Sequence, residues 1–383
     1  MAYTLYQQAK IIAAPGAVAQ TADVLKDSGY SRPLLVFDQG VKACGIAQKV
    51  IDVISAAGYK FTEFADVVPD PPSDVVETAH KLAVDNKCDC VIAIGGGSSI
   101  DTAKGVVAML HNPGKTILDF ADPSVQMNRS PGLISIPTTA GTGSELSNGI
   151  IITNTATQVK VPIVGDKAMS EYVILDPELT LGMPLGLTLM TGLDVFSHAM
   201  EAYTTILSGP MTDIICEKIM QDVVEFLPRV VKDGSDLYAR QRMLDLASLG
   251  GWMLFNCCAH VGHSIAHTIG AKMHIPHGAA CAYGAPATIR FIAPAVPEKM
   301  KKVGEILGVR FDGTEDAETI GKKTADAYVA FRDGLGLKPL SDYNIDKAAA
   351  LALAKDVSVE CFAPLCPRKV TEEDAYRMLD ETF

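Results

Sequence analysis

Eight histidines are spread through 383 residues, yet His260, His263, His267, His274 and His277 fall within eighteen positions. Residues 262–278 read GHSIAHTIGAKMHIPHG among apolar, alanine-rich neighbours. His263 and His267 are four residues apart on a stretch of helical periodicity, so they share one face, one turn apart. Upstream, GLDVFSHAMEAY (192–203) sets Asp194 and His198 at the same spacing. His277 lies in IPHG, where Pro276 and Gly278 mark a turn or a helix start. Carboxylate oxygen and neutral imidazole nitrogen together suit a borderline divalent ion, iron(II) or zinc. Facing helices can bring such donors to one point. Spacing alone leaves open which of His263 and His267 is the ligand. His260 and His274 have no partner at matching spacing and read as structural.

A second set of residues offers a different chemistry. IGGGSSIDTAKG (94–105) follows an apolar run and opens a helix, so Gly95, Gly96 and Gly97 would let backbone amides approach a phosphate at the positive helix end. Ser98 reads as the N-cap, with Asp101 three residues on. The pattern is not GxGxxG, because Ile100 stands where the third glycine would fall. PTTAGTGSE (137–145) is a second strand end, where the hydroxyls of Thr138, Thr139 and Thr142 can bond phosphate oxygens. Asp38 closes the run PLLVFD, and a carboxylate there accepts from ribose hydroxyls and repels a 2′-phosphate, favouring NAD over NADP.

The elements that must hold these residues follow from pattern. In the first half, short β-branched runs (PLLVFD, CDCVIAIGGG, GLISIP) alternate with helical stretches such as SDVVETAHKLAVDNK, which predicts a mostly parallel, doubly wound, Rossmann-like sheet. Residues 150–166 read as a hairpin. After Pro177 and Pro184 the periodicity is helical nearly to the end. We therefore expect an α/β dinucleotide-binding domain over 1–183 and an all-α metal-binding, catalytic domain over 184–383, with the site in the cleft between them.

Composition narrows the partners. A net charge of −12 argues against nucleic acid and against an anionic membrane surface. The opening MAYTLYQQAKIIAAPGAV lacks the pattern of a signal peptide, and no apolar run reaches membrane-spanning length. Nine cysteines, without zinc-ribbon or CxxC spacing, read as reduced thiols of a cytoplasmic protein.

Taken together, GGGSSIDTAK, PTTAGTGSE, GLDVFSHAMEAY and GHSIAH…IPHG resemble the iron-containing (group III) alcohol dehydrogenase family over essentially the whole chain. The resemblance implies Asp194, His198, His263 and His277 as metal ligands, and His267 as an additional active-site histidine near substrate and nicotinamide. It implies Gly95, Gly96, Gly97 and Ser98 as the pyrophosphate loop, Thr138, Thr139 and Thr142 as cofactor contacts, Asp38 as the basis of NAD preference, and Lys160 as a lysine near the cofactor. The cofactors implied are NAD and Fe2+, with Zn2+ an alternative. The substrate is a small alcohol or aldehyde, and the assembly a homodimer or larger homo-oligomer. Leu254, Cys257, Cys258 and His260 depart from the family pattern and bear on the substrate pocket. Arg368, in ECFAPLCPR (360–368), would meet a substrate carboxylate or serve as a surface or capping residue, the blander role being favoured. The rival readings are a metal- and NAD-dependent lyase resembling dehydroquinate synthase, and a non-catalytic metal- or nucleotide-binding protein. The lyase handles an anionic phosphate substrate, whereas Lys272 is the sole basic residue of the metal-helix segments.

Overall fold

The computed structural model describes residues 4–157 and 159–383. Two compact units emerge, one of residues 6–182 and one of 183–383 joined by residues 4 and 5. In the first, six strands form a wholly parallel sheet in the order β1-β8-β5-β4-β2-β3: β1 Lys10–Ala13, β2 Pro33–Asp38, β3 Thr62–Val67, β4 Cys90–Gly95, β5 Leu133–Pro137 and β8 Tyr172–Leu175. Its helices are α1 Thr21–Ser28, α2 Gln39–Ala43, α3 Ile46–Ala56, α4 Ser73–Asp85 and α5 Gly97–Leu110. The expected hairpin is β6 Gly149–Asn154 against β7 Val159–Val164.

The strands read as unbroken apolar runs because both sheet faces are covered. Leu34, Val36, Val91, Ala93 and Leu133 point to one face, where Val76 and Ala79 of α4 and Ile100, Ala103 and Val107 of α5 meet them. Leu35, Phe37, Ile92, Ile94, Ile134 and Ile136 point to the other, against Leu25 of α1 and Val50 and Ile54 of α3. Strand order reverses between β2 and β4. In doubly wound sheets that is where ligands lie, outside the strand carboxyl ends. Asp38 ends β2 and Gly95 ends β4, so the sheet sets both candidate cofactor positions at this point.

The second unit is helical: α6 Leu185–Thr204, α7 Pro210–Lys232, α8 Leu237–Cys257, α9 Val261–Met273, α10 His277–Ile292, α11 Pro297–Ile306, α12 Ala317–Gly334, α13 Lys347–Leu351, α14 Ala354–Val359 and α15 Glu372–Thr382. Helix α6 packs against α7, α8 and α10, and every residue from 192 to 205 is buried. It therefore carries Asp194, His198 and Glu201 into the interior on one stripe, at relative positions 0, 4 and 7. Buried polar groups of this kind must find partners or they cost stability. Among the described residues no helix is long and apolar enough to cross a membrane.

Candidate metal centre and nucleotide cradle

Helices α6, α9 and α10 each deliver donors to one point. Asp194 Oδ1 stands 3.4 Å from Nε2 of His198, 3.8 Å from Nε2 of His263 and 3.6 Å from Nε2 of His277. One donor atom from each of the four residues lies within 4.8 Å of all the others. Donors bound at about 2.1 Å to one tetrahedral ion stand about 3.4 Å apart, so these separations fit a shared cation. Asp194 Oδ1 is buried and has no hydrogen-bond partner, which is the state of an acceptor waiting for a charge. Asp194, His198 and His263 are each 2% exposed, whereas His277 keeps 33% of its side-chain surface open. Burial drives His198 well below the usual imidazole range, with the neighbouring His263 adding to it, so its ring is neutral and its lone pair free.

The surrounding carboxylates set the imidazole tautomers. Glu201 takes His263 Nδ1 at 2.6 Å through one oxygen and the backbone N–H groups of His260 and His263, at 2.8 and 3.1 Å, through the other. A carboxylate only accepts, so His263 carries its proton on Nδ1 and turns the lone pair of Nε2 toward Asp194. Burial raises Glu201, but His263 and His260 outweigh it and hold the carboxyl at about 2. His260 is fully buried, with Nε2 on the Thr204 hydroxyl at 2.8 Å, and His274 is the left-handed C-cap of α9.

His267 is outside the four-donor group. Its ring stacks on His277 at 5.3 Å and its Nδ1 lies 2.9 Å from Glu360 Oε1. Glu360 also accepts from the Ser264 hydroxyl and the Phe362 N–H, both at 2.8 Å, and Phe362 packs on the His267 ring. Burial pushes Glu360 up, yet the bond from His267 and these other donors bring it to about 2. Arg368 donates to Phe291 O and lies over the Phe291 ring, tying the C-terminal segment to α10.

Sequence reasoning passed over Glu201 and Glu360. Glu201 had a signal, since it continues the Asp194–His198 stripe by one turn. Glu360 had none, because it meets His267 across 93 positions. Two glycines also fix the centre. A Cβ on Gly278 would stand 2.2 Å from the Met190 carbonyl oxygen, so only glycine lets α10 begin against α6 beside Asp194. A Cβ on Gly262 would stand 2.6 Å from Glu201 Oε1.

In the sheet unit, the loops after β4 and β5 interlock. Thr138 N–H bonds Gly95 O at 3.0 Å, and a Cβ on Gly96 or Gly97 would press on Thr139 or Thr142 at 3.1 and 3.0 Å. The structure corrects two details. Helix α5 begins at Gly97 with Gly96 as its cap, so Ser98 is a first-turn residue rather than the N-cap. Asp101 turns inward and takes the Ser144 hydroxyl at 2.5 Å and Ile151 N–H at 3.0 Å, so it braces the second loop instead of closing a capping box. One turn on, the fully buried Lys104 bonds Ser144 Oγ, Ser147 O and Gly149 O at 3.1, 3.0 and 2.7 Å. Asp38 Oδ1 caps α2 through Val41 N–H at 2.8 Å. Lys160 sits on β7, paired with Asp70 at 2.7 Å.

A fold of this kind, with a nucleotide-type sheet and a four-donor centre on helices, is that of a metal- and nucleotide-handling enzyme. Residues 8–177 match the iron-containing alcohol dehydrogenase family, and residues 188–383 match the C-terminal domain of the Fe-containing alcohol dehydrogenase family. The chain is 30% identical to an NAD-dependent methanol dehydrogenase of Bacillus methanolicus over 365 residues, 95% of each chain. Its structure superposes on a 1,3-propanediol oxidoreductase with a TM-score of 0.94 at 27% identity, covering 100% of both chains. A sulfoacetaldehyde reductase from Bifidobacterium kashiwanohense in complex with NAD+ matches with a TM-score of 0.88 at 26% identity, over 99% of this chain and 98% of that one. This chain belongs to the iron-containing alcohol dehydrogenase family. Membership decides for an oxidoreductase over the lyase and over a non-catalytic binder.

Proposed function

We propose that the protein interconverts a small primary alcohol, diol or hydroxy acid with its aldehyde, using NAD(H) and a divalent ion held by Asp194, His198, His263 and His277. The observation that carries this is the convergence of three imidazole nitrogens on the unpartnered Oδ1 of Asp194, in a chain of this family. When bound, iron(II) or zinc supplies Lewis-acid polarisation of the substrate oxygen and the nicotinamide carries the hydride. The chain's own residues do the rest. Gly95, Gly96, Gly97 and Ser98 present the start of α5 to the pyrophosphate, and Thr138, Thr139 and Thr142 face it with hydroxyls. Asp38 spends one oxygen on the α2 cap and offers the other to ribose hydroxyls. Asp101 and Lys104 brace the threonine loop from beneath, and Lys160 belongs to the same cofactor-binding set.

His267 is the proton carrier in this reading. Its Nδ1–H is held by Glu360, which leaves Nε2 to take the alcohol proton or return it to the aldehyde. The open side of His277, against which His267 stacks, is the approach for substrate. Free thiols at all nine cysteines support a reducing, cytoplasmic setting, and the family fold supports a homodimer or larger homo-oligomer. The test is loss of NADH absorbance with a panel of short aldehydes, using chain stripped of metal and reloaded with iron(II) or zinc. Turnover restored by either ion is the expected result. No NADH oxidation with any ion or aldehyde would overturn the proposal.

A further inference from the structure

The sheet unit has a second concavity, at the end of the strands opposite the nucleotide cradle. The cradle loops follow the carboxyl ends of β2, β4 and β5. Tyr30, Pro131 and Tyr172 instead stand at the amino ends of β2, β5 and β8, and Lys10 opens β1. These residues line a cavity of about 390 Å³, a volume in the range of small-molecule sites. Three cations line it, Lys10, Arg129 and Lys167, against one carboxylate, Glu171, in a chain of net charge −12. Lys167 is paired with Asp166 at 2.9 Å. Lys10 holds its Nζ 5.6 Å from the centroid of the Tyr172 ring, and among the described residues no carboxylate pairs with it or with Arg129. Glu171 commits Oε2 to the Tyr30 hydroxyl at 2.6 Å and to the Gly132 N–H at 3.0 Å, leaving Oε1 to accept from a ligand. Independently of charge, the Ser28 hydroxyl in the same lining is buried and has no hydrogen-bond partner. Such a group costs stability until a polar partner reaches it.

We infer that this cavity binds a hydroxyl-bearing phosphate monoester of sugar-phosphate size. The guanidinium fork of Arg129 and the point charge of Lys10 suit a phosphate dianion. The cavity is far larger than a bare phosphate, so an organic body fills the remainder. That body meets Ser28 Oγ, the Tyr30 hydroxyl and Glu171 Oε1, three groups that bond hydroxyls. A ligand anionic throughout would set its charge against Glu171, whereas one with hydroxyls gives Oε1 a donor. The site takes no part in hydride transfer, and it stands whether or not the dehydrogenase reading holds.

The experiment is calorimetric titration of the full chain with ribose 5-phosphate, with ribose and with inorganic phosphate, each before and after saturation with NADH. The expected result is one ribose 5-phosphate per chain, bound about tenfold or more tighter than inorganic phosphate, with no heat from ribose and no change on adding NADH. Arg129→Ala and Lys10→Ala should each weaken ribose 5-phosphate about tenfold, while the thermal midpoint and the NADH affinity stay as in the wild type, because both side chains are exposed and lie away from the cradle. Ser28→Ala should weaken it too. Four results would overturn the inference: no binding; ribose 5-phosphate bound no tighter than inorganic phosphate; binding abolished by NADH, which would put the phosphate in the cradle; or wild-type affinity in the Arg129→Ala, Lys10→Ala double variant. A chain that binds ribose 5-phosphate as expected but no NADH would uphold this site and count against the NAD reading instead.

Discussion

Replacing Glu201 by glutamine isolates what its carboxylate does for the centre. The side chain is 1% exposed, and its two oxygens face different partners: His263 Nδ1 on one side and two backbone N–H groups on the other. Glutamine has one oxygen and one NH2. The NH2 cannot face two N–H donors, so the oxygen must stay on the backbone side and the NH2 must point at His263 Nδ1. Nδ1 then accepts, the ring proton moves to Nε2, and the lone pair needed for the ion is gone. Loss of such an orienting partner typically weakens metal binding by about 10- to 100-fold, or about 1.4–2.8 kcal/mol. The fold should survive, because both backbone donors keep their acceptor. Losing the charge interactions that hold this carboxyl at about 2 costs up to about 3 kcal/mol, at about 1.4 kcal/mol per pH unit, which lowers the metal-free Tm by about 6–12 °C. The assay is zinc titration against a competing chelator, with circular dichroism of the metal-free variant as control. Wild-type zinc affinity in Glu201→Gln would refute the tautomer argument. An unfolded metal-free variant would show that the carboxylate is chiefly a folding element.

Further outcomes follow from the same geometry. Gly278→Ala should cost about 1–3 kcal/mol and lower metal occupancy, because its Cβ would meet the Met190 carbonyl at 2.2 Å and push α10 from α6; undiminished metal content and thermal midpoint would contradict this. His263→Ala should lose metal by elemental analysis, whereas His267→Ala should keep metal and lose turnover by about 10²- to 10⁴-fold; the reverse pattern would exchange the two roles. Glu201 and Glu360 both sit at about 2 against an ordinary 4.5. Their folded values are depressed, so the stability they contribute is complete above pH 4.5 and is lost as pH falls toward 2. For Glu360 this is roughly 3 kcal/mol, at about 1.4 kcal/mol per pH unit. Urea midpoints of the metal-free chain should fall across that window and fall less in Glu360→Gln; a flat profile in the wild type would argue against these shifts.

Periodicity and composition made the architecture legible. Strand runs, glycine stops and helical stripes are local properties, so β2, β4, β5, the hairpin and α6 could be read directly from the residues. The short edge strand β1 could not, because KIIA becomes a strand only by pairing with β8, some 160 positions away. The same limit runs through the site. Residue type and spacing singled out Asp194, His198, His263, His267 and His277 as candidates, but His263 and His267 share one helix face and are equivalent on that ground alone. Tertiary packing separates them: Glu201 on α6 turns one toward Asp194, and Glu360 from the far end of the chain holds the other against His277. Likewise Asp101 looks like a capping residue until Ser144 and the start of β6 are folded over it. A side chain's type fixes which bonds it can make. Which bonds it does make depends on groups brought near only when helices and strands pack, and that information lies in the fold and not in any single segment.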